Sequence, residues 1–135
     1  MRCLSLRPPW SLVVADGRKT IENRPRRTNL RERILIHSSL NYKSEVEDTI
    51  RAACRKLRLP VPTLEELRAT PLGAIIGAVT IVDCVEPEDV PKREQPWVYG
   101  PYCYVLEDAQ MFKKPIPWRG ALGFFHVPDA IVRRR

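Results

Sequence analysis

The chain contains no run of about 18 consecutive apolar residues, so the sequence offers no membrane-spanning helix. Its longest apolar stretches, Ser11 to Ala15 and Leu72 to Val82, are short or interrupted by Gly and Thr. The N-terminus lacks the basic stretch, long apolar core and small-residue cleavage site of a secretion signal. Paired cysteines are missing as well: Cys3, Cys54, Cys84 and Cys103 lie far apart with no C-x-x-C, which argues against a zinc ribbon or a redox dithiol. Buried free thiols in a reducing cytoplasm are the expectation. The only histidines, His37 and His126, have no third ligand at diagnostic spacing, so neither a metal nor a cofactor is expected and both read as strand-end side chains with satisfied hydrogen bonds. Internal repeats and low-complexity segments are also lacking.

What is present is enough for one core. With 135 residues and 44% apolar side chains, the chain can bury a single core without disulfides. The expected organisation is one domain over residues 1–130 followed by a basic tail over 131–135. Lys and Arg number 23 against 16 Asp and Glu, a net charge of +7, and the pI is near 9.6. That excess favours an anionic partner, nucleic acid above all, although Arg133, Arg134 and Arg135 place part of it in the tail.

Read in order, Cys3 to Arg7 alternates from Leu4 onward like a half-buried strand, which Pro8-Pro9 ends because neither residue donates to a ladder. Trp10 to Ala15 suits a short helix closed near Gly17. A second strand is expected over Lys19 to Arg24 and an apolar one over Ile34 to Ser39. Ser44 to Leu57 has helical apolar spacing with Ser44 and Glu47 at capping-box distance, and Thr63 and Glu66 repeat that spacing before another turn or two. Leu72 to Val85 is rich in β-branched residues and punctuated by Gly73 and Gly77, as a bent central strand would be. Val85 to Pro96 reads as an acidic loop with a helical turn, Tyr102 to Leu106 as a strand, Ile116 to Gly120 as a turn and Leu122 to Val127 as the last strand. Strands outnumber helices, which gather in the first half. The expected class is α+β, a small, curved, mainly antiparallel β-barrel decorated by helices.

The densest chemistry lies in Gly17 to Arg24, where Glu22 falls between the cations Lys19 and Arg24. Strict strand alternation would put Lys19 on the face opposite Glu22 and Arg24, so the three share a site only if Lys19 comes from the turn before the strand. Lys19 and Arg24 suit a phosphate, Arg24 as a planar fork and Lys19 as a point charge, and the alternative is an internal ion pair with Glu22. Glu22 suits a general base or an acceptor for an exocyclic amine; neighbouring cations lower a carboxyl pKa and so favour recognition over proton abstraction. The connector that follows carries Arg26, Arg27, Arg31 and Arg33, a dense run fitted to phosphate contact. Ser38 and Ser39 offer hydroxyls for phosphate or, alternatively, bonds to nearby backbone. Trp10, with Trp97, Tyr99 and Tyr102, offers rings for stacking unpaired bases or for filling the core.

Leu4-Ser5-Leu6, Pro9-Trp10 and then Gly17-x-Lys19-x-x-Glu22-x-Arg24 resemble the ASCH domain family, whose signature is G-x-K-x-x-E-x-R after a short helix. Ile34 to Ser39, Gly73 to Cys84 and Pro115 to Gly120 resemble later pieces of the same domain, so the likeness covers nearly the whole chain. It implies a barrel similar to the PUA domain, with the motif lining a cleft, and a nucleic-acid partner, RNA ahead of DNA. Some relatives are nucleases or amidohydrolases acting on an acylated cytidine, which implies an alternative reading as a small hydrolase using Lys19 and Glu22. The amidohydrolase relatives carry a threonine linked to nucleophilic attack three residues after the motif lysine. Here that position is Glu22, and Thr20 does not replace it.

Overall fold

Within residues 1–133, which the computed structural model describes, the chain forms six strands and four α-helices. The strands are β1 (Arg2–Leu6), β2 (Ile21–Arg24), β3 (Arg33–Ser38), β4 (Ala74–Val85), β5 (Tyr102–Pro117) and β6 (Phe124–His126). The helices are α1 (Trp10–Ala15), α2 (Glu47–Lys56), α3 (Leu64–Arg68) and α4 (Asp129–Val132). Of the tail residues, Arg134 and Arg135 lie outside the described residues. No helix among the described residues is long and apolar enough to cross a membrane.

All six strands form one sheet in the order β2-β5-β4-β3-β1-β6. Only β1 and β3 pair in parallel; every other neighbour is antiparallel. The class is α+β, and the barrel is a half-barrel, because β2 and β6 stand at the two ends of the sheet and do not pair. β4 is central, as its β-branched composition predicts. It pairs with β5 through three register shifts, at Ile75/Gly77, Ala78/Thr80 and Ile81/Asp83. Such bulges bend a strand pair and increase its twist. The bend brings strands distant in the order together: Arg24 Nη2 of β2 donates to the Ser5 carbonyl of β1 at 3.1 Å, and Tyr104 of β5 stacks on Phe124 of β6 at 6.2 Å.

Helix α1 fills the hollow of the curl, with Val14 and Ala15 buried against Ile34, Ile76, Val79 and Leu106. Gly77 makes this approach possible: a Cβ there would collide with the Gln110 carbonyl and press on Ala15 Cβ at 3.0 Å. A second core beneath α2 and α3 gathers Ile50, Cys54, Leu67 and Trp97 around Ile21. A third packs Cys3, Leu35, Ile75 and Val127 with the half-buried Ile131 of α4.

Several elements differ from the sequence expectation: β2 begins at Ile21 and not Lys19, the last strand is confined to Phe124–His126, α4 has no counterpart in it, and two further differences have a clear physical cause. β5 runs 16 residues, far past Leu106, because its second half is held by backbone pairing with β4 while most of its side chains face solvent. An exposed, polar half-strand carries no apolar alternation to reveal it. The capping box at Ser44 and Glu47 does not form. Ser44–Val46 is a 3-10 turn without a side-chain cap, and the Glu47 carboxylate instead accepts from Arg68 Nε and Nη2 at 2.9 and 3.0 Å and from the Tyr42 hydroxyl at 2.6 Å. The box at Thr63 and Glu66 does form, with Glu66 N donating to Thr63 Oγ1 at 3.0 Å.

Gly77→Ala should destabilise the domain by about 1–3 kcal/mol in chemical denaturation, through overpacking of α1 on the sheet. Arg68 and Tyr42 hold the Glu47 carboxyl down at about 2, against an ordinary 4.5. The stability it contributes is therefore present above pH 4.5 and lost as pH falls through about 2. Melting curves of Glu47→Gln and the unmodified chain should differ at neutral pH and converge in acid.

Candidate functional site

Helix α1 ends at Ala15, and Gly17, at φ +89°, turns the chain back along the sheet in a conformation that β-carbon sterics disfavour elsewhere. Arg18 locks the turn by donating Nε and Nη2 to Asp16 Oδ2 at 3.0 and 2.8 Å and Nη1 to the Pro60 carbonyl at 2.9 Å. Lys19 N donates to the Val13 carbonyl at 2.8 Å. Lys19 therefore precedes β2 by two residues and is not bound by its alternation, while Glu22 and Arg24 share one face of the strand. All three side chains line one cleft.

The Lys19 side chain is 3% exposed. It donates to the Ile21 carbonyl and lies 3.5 Å from Glu22 Oε1. Glu22 Oε2 lies 3.0 Å from Arg24 Nε, an ion pair that is not aligned as a hydrogen bond, and that buried Nε has no other partner among the described residues. Burial pushes the Lys19 pKa down; Glu22 opposes the shift and Arg24 adds to it. An ammonium out of water costs free energy unless it is paired and hydrogen-bonded, and here one carboxylate serves two cations.

Aromatic rings frame the opening. The Trp10 ring lies 5.1 Å from Lys19 Nζ, and Tyr99 meets Trp10 edge to face at 6.5 Å while remaining 62% exposed. Asn23 fixes that wall. Its Oδ1 accepts from the Tyr99 and Gly100 amides at 2.7 and 2.9 Å, and its Nδ2 donates to the Trp97 carbonyl at 3.0 Å. Arg7, Lys43 and Leu122 complete a cleft of about 470 Å³. Its position joins a cation pair, one carboxylate and two ring surfaces, groups able to hold a phosphate, an exocyclic amine and a base face.

The remaining expected site residues lie elsewhere. Ser38 is buried, sharing a 2.8 Å hydrogen bond with Ser11 Oγ, and Ser39 Oγ accepts from Asn41 N at 3.3 Å. Neither lines the cleft, so both hydroxyls satisfy nearby groups. Arg26 and Arg27 border an adjoining cleft of about 600 Å³. Arg27 sits 4.9 Å over the Tyr102 ring and 3.5 Å from Glu86. Arg31 pairs with Asp83 at 3.6 Å, and Arg33 donates to the Asp108 carbonyl at 2.9 Å and to Gln110 Oε1 at 3.1 Å. Much of the basic connector is thus engaged within the protein. Lys56, Arg58, Lys92 and Arg93, by contrast, border a separate groove of about 830 Å³. Trp97 is buried as a wall of the second core and offers no stacking face. His37 is buried, with Nδ1 bonded to Ser5 Oγ and Nε2 to the Trp118 carbonyl, both at 2.8 Å. Among the described residues no group of three or more His, Cys, Asp or Glu side chains is arranged to hold a metal.

Sequence reasoning missed Arg7, Asn23, Lys43 and Leu122. Asn23 had a local signal, an amide inside the charged motif whose side chain can replace missing backbone bonds. The other three reach the cleft from separate connections, and only the curl of the sheet assembles them.

The ASCH domain family model matches residues 4–116. Human Activating signal cointegrator 1 is 26% identical over 123 residues, which are 87% of this chain and 21% of that protein. The crystal structure of ASCH from Zymomonas mobilis superposes with a TM-score of 0.56 at 14% identity, covering 98% of this chain and 91% of that one. A single Tyr-to-Phe variant of the same protein gives 0.57 at 13% identity, with 98% and 94% covered. These structural likenesses speak to the fold alone.

Because its folded pKa is lowered, Lys19 destabilises the fold while charged, and this cost is relieved as pH rises towards 10.5. The unmodified chain should therefore gain stability relative to Lys19→Met over the alkaline range below that value, as read by urea unfolding at a series of pH values.

Proposed function

The chain belongs to the ASCH domain family, and from that premise we propose that it binds nucleic acid, RNA ahead of DNA, in the cleft lined by Lys19, Glu22 and Arg24. The observation that carries this reading is a buried ammonium maintained at the floor of an open cleft with an exposed ring at its rim. A lysine that served stability alone would be better replaced by an apolar side chain, since a buried ion pair is often no more stable than its hydrophobic equivalent. In this reading Lys19 holds Glu22 in place as a fixed point charge. Glu22 accepts from a base edge, Arg24 with Arg7 and Lys43 faces phosphate, and Trp10 and Tyr99 flank the base. Arg26 and Arg27 extend the positive rim. Ser38 and Ser39 take no part.

Turnover is a second reading, favoured by one observation: a buried lysine whose pKa is lowered by burial lies 3.5 Å from the Glu22 carboxylate in an open cleft, and perturbed titratable groups in clefts gather at functional sites. Lys19 would then stabilise a developing oxyanion and Glu22 would orient water, on RNA or on an acylated nucleoside.

Affinity for a single-stranded RNA should fall steeply with salt, and Arg24→Ala should flatten the slope of log K against log salt by about 0.7, the share of one phosphate contact on a single strand. Salt-independent affinity, or affinity unchanged in a Lys19→Ala, Arg24→Ala double variant, would count against binding in this cleft. For the second reading, incubation with RNA and with acylated cytidine should give product that disappears in Glu22→Gln; a lack of product leaves binding alone.

A further inference from the structure

The motif cleft has a neighbour. The adjoining cleft, about 600 Å³, shares Arg24, Pro25 and Leu122 with the motif cleft of about 470 Å³, so the two lie on either side of those residues. Its floor is apolar: Phe124, half-buried, presents the ring surface, backed by the buried Tyr104 ring stacked beneath it and by the buried Leu4, while Arg26, Arg27 and Thr28 supply a polar rim. The Tyr104 hydroxyl donates to the Arg26 carbonyl at 2.8 Å, which ties that rim to the floor. An apolar, ring-lined floor under a guanidinium edge is the chemistry of a second base with its phosphate.

Two features mark the divide. Leu122 is 99% exposed, a large apolar side chain presented almost entirely to solvent. Arg24 stands at the junction with a quarter of its side chain accessible, its buried Nε paired with Glu22 at 3.0 Å and its Nη2 donating to the Ser5 carbonyl at 3.1 Å. A guanidinium there can reach an anion lying over the ridge, and a phosphodiester joining two nucleosides is such an anion.

We propose that the chain binds two consecutive nucleotides of a single strand, one base in each cleft, with the linking phosphodiester on Arg24 and Leu122 standing between the bases. The inference rests on the nucleic-acid reading of the motif cleft and deepens it: the ligand is an unpaired segment whose neighbouring bases are splayed apart, as single strands allow and duplexes resist. Arg26 and Arg27 then contact the outer phosphate of the second nucleotide.

The test is calorimetric titration of the whole chain with the four ribonucleoside 3′-monophosphates and with the dinucleotides ApAp, CpCp, GpGp and UpUp, which carry both the linking phosphodiester and the outer 3′-phosphate. At least one dinucleotide should bind about tenfold or more tighter than its own monophosphate, the gain expected of an added stacked base. Arg26→Glu and Arg27→Glu, both changes at solvent-facing positions, should bring that gain, taken as the ratio of dinucleotide to monophosphate affinity within each variant, to within about twofold. Dinucleotides no tighter than monophosphates, with both weakened in Lys19→Ala, would overturn the second subsite and leave the motif cleft standing. A gain that survives both Arg variants would also overturn it. Absence of binding by every nucleotide would overturn the motif-cleft reading itself, and the two-nucleotide inference with it.

Discussion

The pairing of β4 with β5 governs this molecule. Strands of 12 and 16 residues are long for so small a domain. They twist as any strand pair does, and three register shifts turn that twist into a curl. The curl makes a hollow that α1 fills. It also swings the β2 edge round towards β1, so that a guanidinium on one strand reaches a carbonyl four places away in the sheet order. The cleft lies along this seam, and a flat sheet of the same sequence would have no such site.

The seam is where the protein accepts electrostatic cost. Glu22 stands between two cations, one of them an ammonium almost entirely removed from water. Desolvation outweighs the attraction enough to lower the Lys19 pKa, so the arrangement is not explained by stability. Asn23 adds a different kind of order: one amide satisfies three backbone groups of the 97–100 connection and holds Tyr99 beside Trp10. Charge is fixed on the floor and aromatic surface on the wall by adjacent residues of one short strand.

Positive charge is distributed differently from its order in the chain. The cations after Arg24 are dense in sequence, yet Arg27, Arg31 and Arg33 meet Glu86, Asp83 and the middle of β5. Lys56, Arg58, Lys92 and Arg93, scattered in sequence, border one groove instead. Sequence proximity overstates a basic patch because acidic partners arrive from other strands. The same blindness hid the second half of β5, whose polar side chains face solvent and whose existence depends on the backbone of β4.

The local sequence by itself determined most of the secondary structure: proline after β1, glycine after α1, the β-branched run of β4 and the capping box at Thr63. These follow from backbone sterics and short-range hydrogen bonds, which act within a few residues. It also determined the motif, since Lys19, Glu22 and Arg24 lie within one turn and one strand. Tertiary structure decided what the motif faces. It diverted Glu47 from its helix cap to Arg68, buried Ser38 against Ser11, and brought Arg7, Lys43, Tyr99 and Leu122 to the rim. Those outcomes depend on which strands a curled sheet brings together, and that is set by bulges and register between residues far apart in the chain.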